Sequence, residues 1–320
     1  MAPPFEVTSK AQQLLARLER LLGRYEGLHQ PVPTAELRRR LRVESVRSTV
    51  AIEGNTLSSR QVDALWQRSA DDSTEQEIVE AHNALSAYEQ LPRWNPANSK
   101  DLLEGHRVMM AGLLSHPGRW RRGNVGVMSN GRVAHIAPPA NRVAGLINEL
   151  AEFIRESDAV HPAVLSAVVH YELEFIHPFE DGNGRMGRLW HTLILSRYHL
   201  LFQFVPVESV FFERRPQYFA ALRESDRQGK STTFVEFALQ STVDAVAKTL
   251  DQIALSPVTV ESRINTARSH FGMNDFIRRD YLAIFPKLST ATASRDLKWG
   301  VDQGILVAIG EFSQTRYRFR

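Results

Sequence analysis

Apolar residues return at helical spacing along most of this 320-residue chain, and one short segment breaks the pattern. That repetition is the strongest constraint on the fold, and it predicts a mainly α protein. Leu14, Leu15, Leu18, Leu21 and Leu22 mark the first helix. Pro31 and Pro33 interrupt it, Thr34 is placed as an N-cap, and a second helix is expected from Ala35 to Glu53, stopped by Gly54 and Asn55. Further helices are expected over Thr74 to Leu91, Asp101 to Leu114, Ala144 to Ser157 and the apolar-rich Ala163 to Ile176. The exception is Val125 to Ile136, where Val125 and Val127, then Ser129-Asn130-Gly131, then Val133 and Ile136 predict a β-hairpin ended by Pro138 and Pro139. A lone hairpin must lie on the surface of the helical body.

Hydrophobic residues make up 43% of the chain and charged residues 23%, enough apolar material for real cores. The absence of cysteine excludes a disulfide framework, thiolate metal sites and a cysteine nucleophile. No apolar run is long enough to span a membrane, and the opening MAPPFEVTSK lacks a charged region leading into an apolar one. A cytoplasmic protein without a membrane partner is therefore expected.

Composition changes near Leu255-Ser256-Pro257, which places a boundary there. Beyond it, helical runs end in Thr290 to Gln303, followed by Val307 to Ile309, a turn at Gly310 and Tyr317 to Phe319. Helices followed by a two-stranded ribbon fit a winged helix-turn-helix, with Thr292, Ser294, Arg295 and Lys298 on or near the recognition helix. From Val258 onward ten basic residues face six acidic ones, an excess of +4 against −1 for the rest. That excess makes DNA one candidate partner, although such modules also dimerise or dock proteins, and the wing carries Glu311 beside its turn. Three regions are expected: a helical region over 1–100, a central core over 101–254 and the winged helix over 255–320.

The chemistry is concentrated in His177-Pro178-Phe179-Glu180-Asp181-Gly182-Asn183-Gly184-Arg185-Met186-Gly187-Arg188. Pro178 restrains His177 from continuing the helix. Gly182 and Gly184 let successive N–H groups turn inward as an anion nest, and a helix starting near Gly184 points its N-terminus at the same spot. Arg185 and Arg188 share one face of its first turn, a poor place for cations unless a polyphosphate lies in the nest. Asn183 can donate to a phosphate. Asp181 offers a single carboxylate, which suits Mg²⁺ held mainly by phosphate oxygens and water. His177 is the group in the loop able to act as general base. Each element alone has a duller reading as helix stop, turn or solvated surface; their combination within twelve residues is specific.

The stretch resembles the Fic-family signature H-x-F-x-[DE]-G-N-G-R-x-x-R and matches every specified position. The resemblance extends over roughly Asp101 to Val246, with the hairpin similar to the family's flap, and implies a Fic-type helical core. It implies that His177 deprotonates a target hydroxyl and that Asp181 holds Mg²⁺. Gly182, Asn183 and Gly184 would form the anion hole, Arg185 and Arg188 would take the β- and γ-phosphates of ATP, and Phe179 would anchor the loop. Gly at position 184, where the kinase-like Doc branch carries Lys, favours AMP transfer. Tyr218 and Phe219 fall at the family's aromatic pair, where packing is the stronger reading.

A second stretch, Ser48-Thr49-Val50-Ala51-Ile52-Glu53-Gly54-Asn55, resembles the family's inhibitory motif [ST]-x-x-x-E-[GN]. Thr49 and Glu53 are four apart and share a helix face, and Glu53 lies at the helix end disfavoured for an anion. A bidentate pair with Arg188 is the expected compensation, and it would occupy the arginine that the γ-phosphate needs. The resemblance implies an auto-inhibited protein adenylyltransferase moving AMP from ATP to a Ser, Thr or Tyr hydroxyl of a target protein. Removal of AMP by the same residues, or a nucleotide-sensing DNA-binding regulator, are the alternatives. A homodimer, DNA and the target protein are the partners weighed.

Overall fold

The computed structural model describes residues 3–28, 33–67, 76–129, 132–255, 259–286, 288–310 and 315–320. Expectations placed on Pro31, Thr74, the Asn130-Gly131 turn, Ser256-Pro257, Val258 and Glu311 lie outside the described residues. The chain packs as two compact units. The first comprises Met1–Leu21 with Arg40–Thr249, and the second Leu22–Arg39 with Leu250–Arg320.

Helix α1 (Ser9–Glu26) and helix α2 (Ala35–Ile52) open the chain. Thr34 caps α2 as expected, its hydroxyl accepting from the Leu37 N–H at 3.2 Å. The α2 helix stops where Gly54 takes a φ of 108°. A short α3 (Ser59–Ala64) follows, begun by a Ser58 capping box and too brief for its apolar spacing to announce it. Then come α4 (Gln76–Gln90) and α5 (Ser99–Met109). The periodic run to Leu114 does not continue α5, because the chain turns through Gly112 at φ 72°.

Strands β1 (Gly126–Ser129) and β2 (Arg132–Ile136) form the antiparallel hairpin, with a bulge after Val127 that leaves Ala134 as the extra residue. Helices α6 (Val143–Arg155), α7 (Pro162–Ile176) and α8 (Asn183–Tyr198) follow. The latter two pack along each other and are buried on nearly every face, which makes them the centre of the first unit. They give the core Leu173 and Ile176 from α7 and Met186, Leu189 and Trp190 from α8, with Phe179 from the loop between them. The unit is completed by α9 (Val207–Glu213), α10 (Arg215–Gln228) and most of α11 (Thr232–Leu255).

The second unit contains α12 (Val260–Phe271), β3 (Phe276–Ile277), α13 (Arg278–Ile284), α14 (Thr290–Asp302), β4 (Leu306–Ile309) and β5 (Arg316–Phe319). Its sheet runs β3-β5-β4, all antiparallel, so the expected two-stranded ribbon carries a third, two-residue strand. Ile264, Phe276, Tyr281, Leu297 and Phe319 form a separate core. No described helix is long and apolar enough to cross a membrane.

Candidate active site

Helix α7 ends on His177, whose φ of 50° and ψ of 58° make it the one left-handed non-glycine residue among the described residues. Pro178 bars the helical region, and the left-handed turn costs about 1–3 kcal/mol that neighbours must offset. The His177 N–H donates to the Leu173 carbonyl at 3.1 Å, and its own carbonyl accepts from Arg121 Nε at 2.7 Å. Phe179 then plunges into the core with no exposed surface. Its ring lies flat against His106 at 3.7 Å, with Trp120 tilted beside it at 5.2 Å.

The nest forms at the start of α8. Gly182 takes a φ of 82°, and a Cβ there would stand 2.7 Å from Met110 Sδ, so a glycine is required twice over. Asp181 is exposed; its Oδ1 accepts from the Gly182 N–H at 2.6 Å and its Oδ2 lies 3.4 Å from Arg185 Nη2. Asn183 keeps its side chain within the loop. Its amide is buried and closes the loop on itself, donating to the Phe179 carbonyl at 3.0 Å and accepting the Phe179 N–H at 2.9 Å. Its backbone remains in the first turn of α8.

Arg185 is buried, yet its Nε and Nη1 have no hydrogen-bond partner among the described residues. Glu80 Oε1 lies 4.0 Å from Nη1. Buried guanidinium donors without acceptors are costly, and an anion would satisfy them.

Arg188 is only 1% exposed and is fully engaged. Its Nε donates to Thr49 Oγ1 at 2.9 Å, and Nη2 donates both to the Thr49 carbonyl at 3.0 Å and to Glu53 Oε1 at 2.6 Å. The contact with Glu53 is thus one short bond and not the bidentate fork expected, because Nε is committed to Thr49 and Nη1 donates to the Tyr218 hydroxyl at 3.4 Å. Glu53 Oε1 also lies 2.5 Å from where a Gly184 Cβ would be, with Glu174 Oε1 at 3.3 Å from the same point. A carboxylate oxygen therefore rests against the first turn of α8, where the nest favours an anion. Burial works against the Arg188 charge, but Glu53, Tyr218 and Glu174 outweigh it and raise the guanidinium above its ordinary value.

Glu174 is a second carboxylate at this point. Burial pushes it up to about 7, against the pull of Arg188 and with Glu53 adding to the rise. Tyr218 donates to its Oε1 at 3.0 Å and is wholly buried beside Arg188, so it serves packing and this network and presents no face to an adenine ring.

Sequence reasoning thus located Thr49, Glu53, His177 and the loop. It missed Glu174, His106 and Arg121. His106 accepts the Gly118 N–H on Nδ1 at 2.8 Å, and its Nε2 lies 3.0 Å from the Asp181 carbonyl, which can only accept. That fixes the tautomer, and burial pushes the ring down to about 4, so it stays neutral. A lone histidine in an amphipathic helix carries no periodic or motif signal, and neither does one arginine among Arg119, Arg121 and Arg122.

The same loop and helices recur in known proteins. A profile of the Fic/DOC family matches residues 96–195. A solved Fic family protein from Desulfovibrio desulfuricans G20 is 32% identical, with a TM-score of 0.72 over all of this chain and 98% of that one. This chain belongs to the Fic family. Fic-1 from C. elegans shares the Fic fold at 24% identity and a TM-score of 0.63, over 77% of this chain and 73% of that one. Several curated relatives carry the name protein adenylyltransferase Fic. The one from Drosophila mojavensis is 29% identical over 65% of this chain and 40% of its own length, and the one from Aedes aegypti 28% over 65% and 41%. The chain spans less than half the length of these curated Fic relatives.

Proposed function

We propose that this Fic protein is a protein adenylyltransferase held off by its own Glu53. The observation that carries the reading is the placement of Glu53: its carboxylate lies against the first turn of α8 and on Arg188, the same turn in which Arg185 Nε and Nη1 have no acceptor among the described residues. Those are the acceptor-seeking groups a triphosphate would fill, and the carboxylate stands where one of its phosphates would lie.

In this reading the loop holds ATP by Gly182, Asn183 and Gly184 N–H groups, Arg185 and, once Glu53 withdraws, Arg188. The His177 imidazole removes the proton of a Ser, Thr or Tyr hydroxyl. The hydroxyl oxygen bonds to the α-phosphorus, the bond from that phosphorus to the bridging oxygen breaks, and pyrophosphate leaves with its electron pair. Positioning and fixed dipoles supply most of the acceleration. Among the described residues no three His, Cys, Asp or Glu side chains converge on one point, and the donor the reading takes from the loop is the exposed Asp181 carboxylate. That donor fits Mg²⁺, which prefers one carboxylate plus phosphate oxygens and water. When bound, Mg²⁺ would neutralise phosphate charge. The curated relatives' name supports ATP as the AMP donor and a protein as the acceptor.

Incubation of the 320-residue protein with α-labelled ATP tests this. Glu53→Gly is expected to raise label transfer to protein, and His177→Ala in that background to abolish transfer with ATP binding retained. Equal labelling by wild type and Glu53→Gly at matched ATP well below saturation would remove the inhibitory reading. A second reading is removal of AMP, because the Glu53 side chain is 37% exposed and can orient a water. The water oxygen would attack phosphorus, releasing AMP and restoring the hydroxyl; AMP released from a pre-modified protein would support it.

For the second unit we propose a winged helix that contacts DNA. Arg295 and Lys298 are exposed on α14, and Arg278 reaches Ser294 on the same helix at 3.0 Å.

A further inference from the structure

Arg121 is buried at 3% exposure and faces no carboxylate at hydrogen-bond distance among the described residues. Its side chain donates to backbone carbonyls instead. Nε donates to His177 at 2.7 Å and Nη1 to Gly123 at 2.8 Å, while Nη2 donates to Pro138 at 2.5 Å and to Ile176 at 3.3 Å. Its own N–H donates to the Pro178 carbonyl at 2.9 Å. Burying a guanidinium on carbonyls alone is an expensive way to hold a fold, since the charge lacks a counter-ion. The segments it joins give the arrangement meaning. Ile176, His177 and Pro178 carry the base, and Gly123 and Pro138 are the two roots of the β1–β2 hairpin.

We propose that Arg121 is a positioning residue that sets the His177 base and the hairpin roots in one frame, so that an acceptor segment at the hairpin meets the base in register. The inference rests on reading His177 as the base. The Nε bond offsets the left-handed strain at His177 from outside α7, and the Nη bonds fix how far each hairpin root lies from that residue. The planar fork makes these bonds at once; an ammonium, radiating from one point, cannot span the same set. The nucleotide-holding groups, Gly182 to Arg188, lie beyond Phe179 and are not among the partners of Arg121. Misplacing the base should therefore cost turnover and spare ATP affinity.

The test uses the full chain carrying Glu53→Gly, alone and with Arg121→Met, Arg121→Lys or His177→Ala. Turnover at saturating ATP, ATP affinity by calorimetry, thermal unfolding and the His177 imidazole resonances are recorded. Arg121→Met is expected to cut turnover on the order of 100-fold, the scale of a misplaced reacting group. ATP Kd should stay within about twofold, and the His177 resonances should shift or broaden while those of the deeply buried His170 and His191 hold. Arg121→Lys should recover part of the turnover. Should the Met variant not fold, the Lys variant alone must show reduced turnover at unchanged ATP Kd. Turnover unchanged in either folded variant, or turnover and ATP affinity falling together, would overturn the inference. If His177→Ala kept full turnover, the base reading itself would fail, whatever Arg121 did.

Discussion

Glu174 shows how a single residue can carry a pH dependence that no motif announces. Its carboxyl is raised by burial from the ordinary 4.5 to about 7, so between those values the folded protein keeps a proton that the unfolded chain has released. The stability this group contributes is full below about pH 4.5 and is lost as pH rises through about 7. Glu174→Gln, neutral throughout, is accordingly expected to match wild type at pH 4 and to exceed it by on the order of 2 kcal/mol at pH 8. Urea unfolding at both pH values checks it, and an equal difference at the two would show that the carboxyl titrates normally. The residue was illegible in sequence because its meaning depends on Arg188, Glu53 and Tyr218, three side chains from three other helices and their ends. The loop residues were legible because a nest needs its glycines and arginines consecutive. Asn183 marks the boundary: its position was readable, but its side chain turned inward to tie the loop.

At the scale of elements, α2 is held at its C-terminal end by arginines from elsewhere. Arg188 takes the Thr49 carbonyl and hydroxyl, and Arg215 Nε donates to the Ile52 carbonyl at 2.8 Å. Cations there answer the helix dipole that disfavours Glu53. Thr49→Val removes one bond to a charged group, worth about 1.5–3 kcal/mol. Basal auto-modification should rise, by less than in Glu53→Gly, and an unchanged rate would mean that the hydroxyl does not hold the inhibited arrangement. The hairpin permits a different experiment. Ala134 is the extra residue of the bulge and has no paired residue across the ladder, so Ala134→Pro should leave the hairpin formed while blocking an added strand there. Modification of a target should then fall further than ATP affinity; unchanged modification argues against strand addition. Long periodic helices were the readable elements. The α5 end was overrun because Met110, Leu113 and Leu114 keep the helical spacing after the backbone has turned, and β3 is too short for any period to show.

Over the whole molecule, the chain passes from one unit to the other at residues 21–22, 39–40 and 249–250, so sequence order hides that residues 22–39 belong with the C-terminal segment. If that unit reads DNA, Arg295→Ala or Lys298→Ala should each reduce the log–log salt slope by about one, the share of a single neutralised phosphate. Full-length protein without salt-dependent DNA affinity would leave docking or dimerisation as its role. Glu53 lies against α8 in the same polypeptide as the site it covers. If Glu53 competes with ATP as proposed, a competitor tethered in the same polypeptide cannot be diluted or washed away, and its occupancy would set a fixed tax on productive ATP binding. With Glu53 withdrawn in one molecule of about a hundred, the half-saturating ATP concentration for catalysis would be about 100-fold higher than in Glu53→Gly. Initial rates of the two proteins would then converge as ATP is raised. The inhibited protein would act less as a switch than as a gauge, its output following the nucleotide level around it.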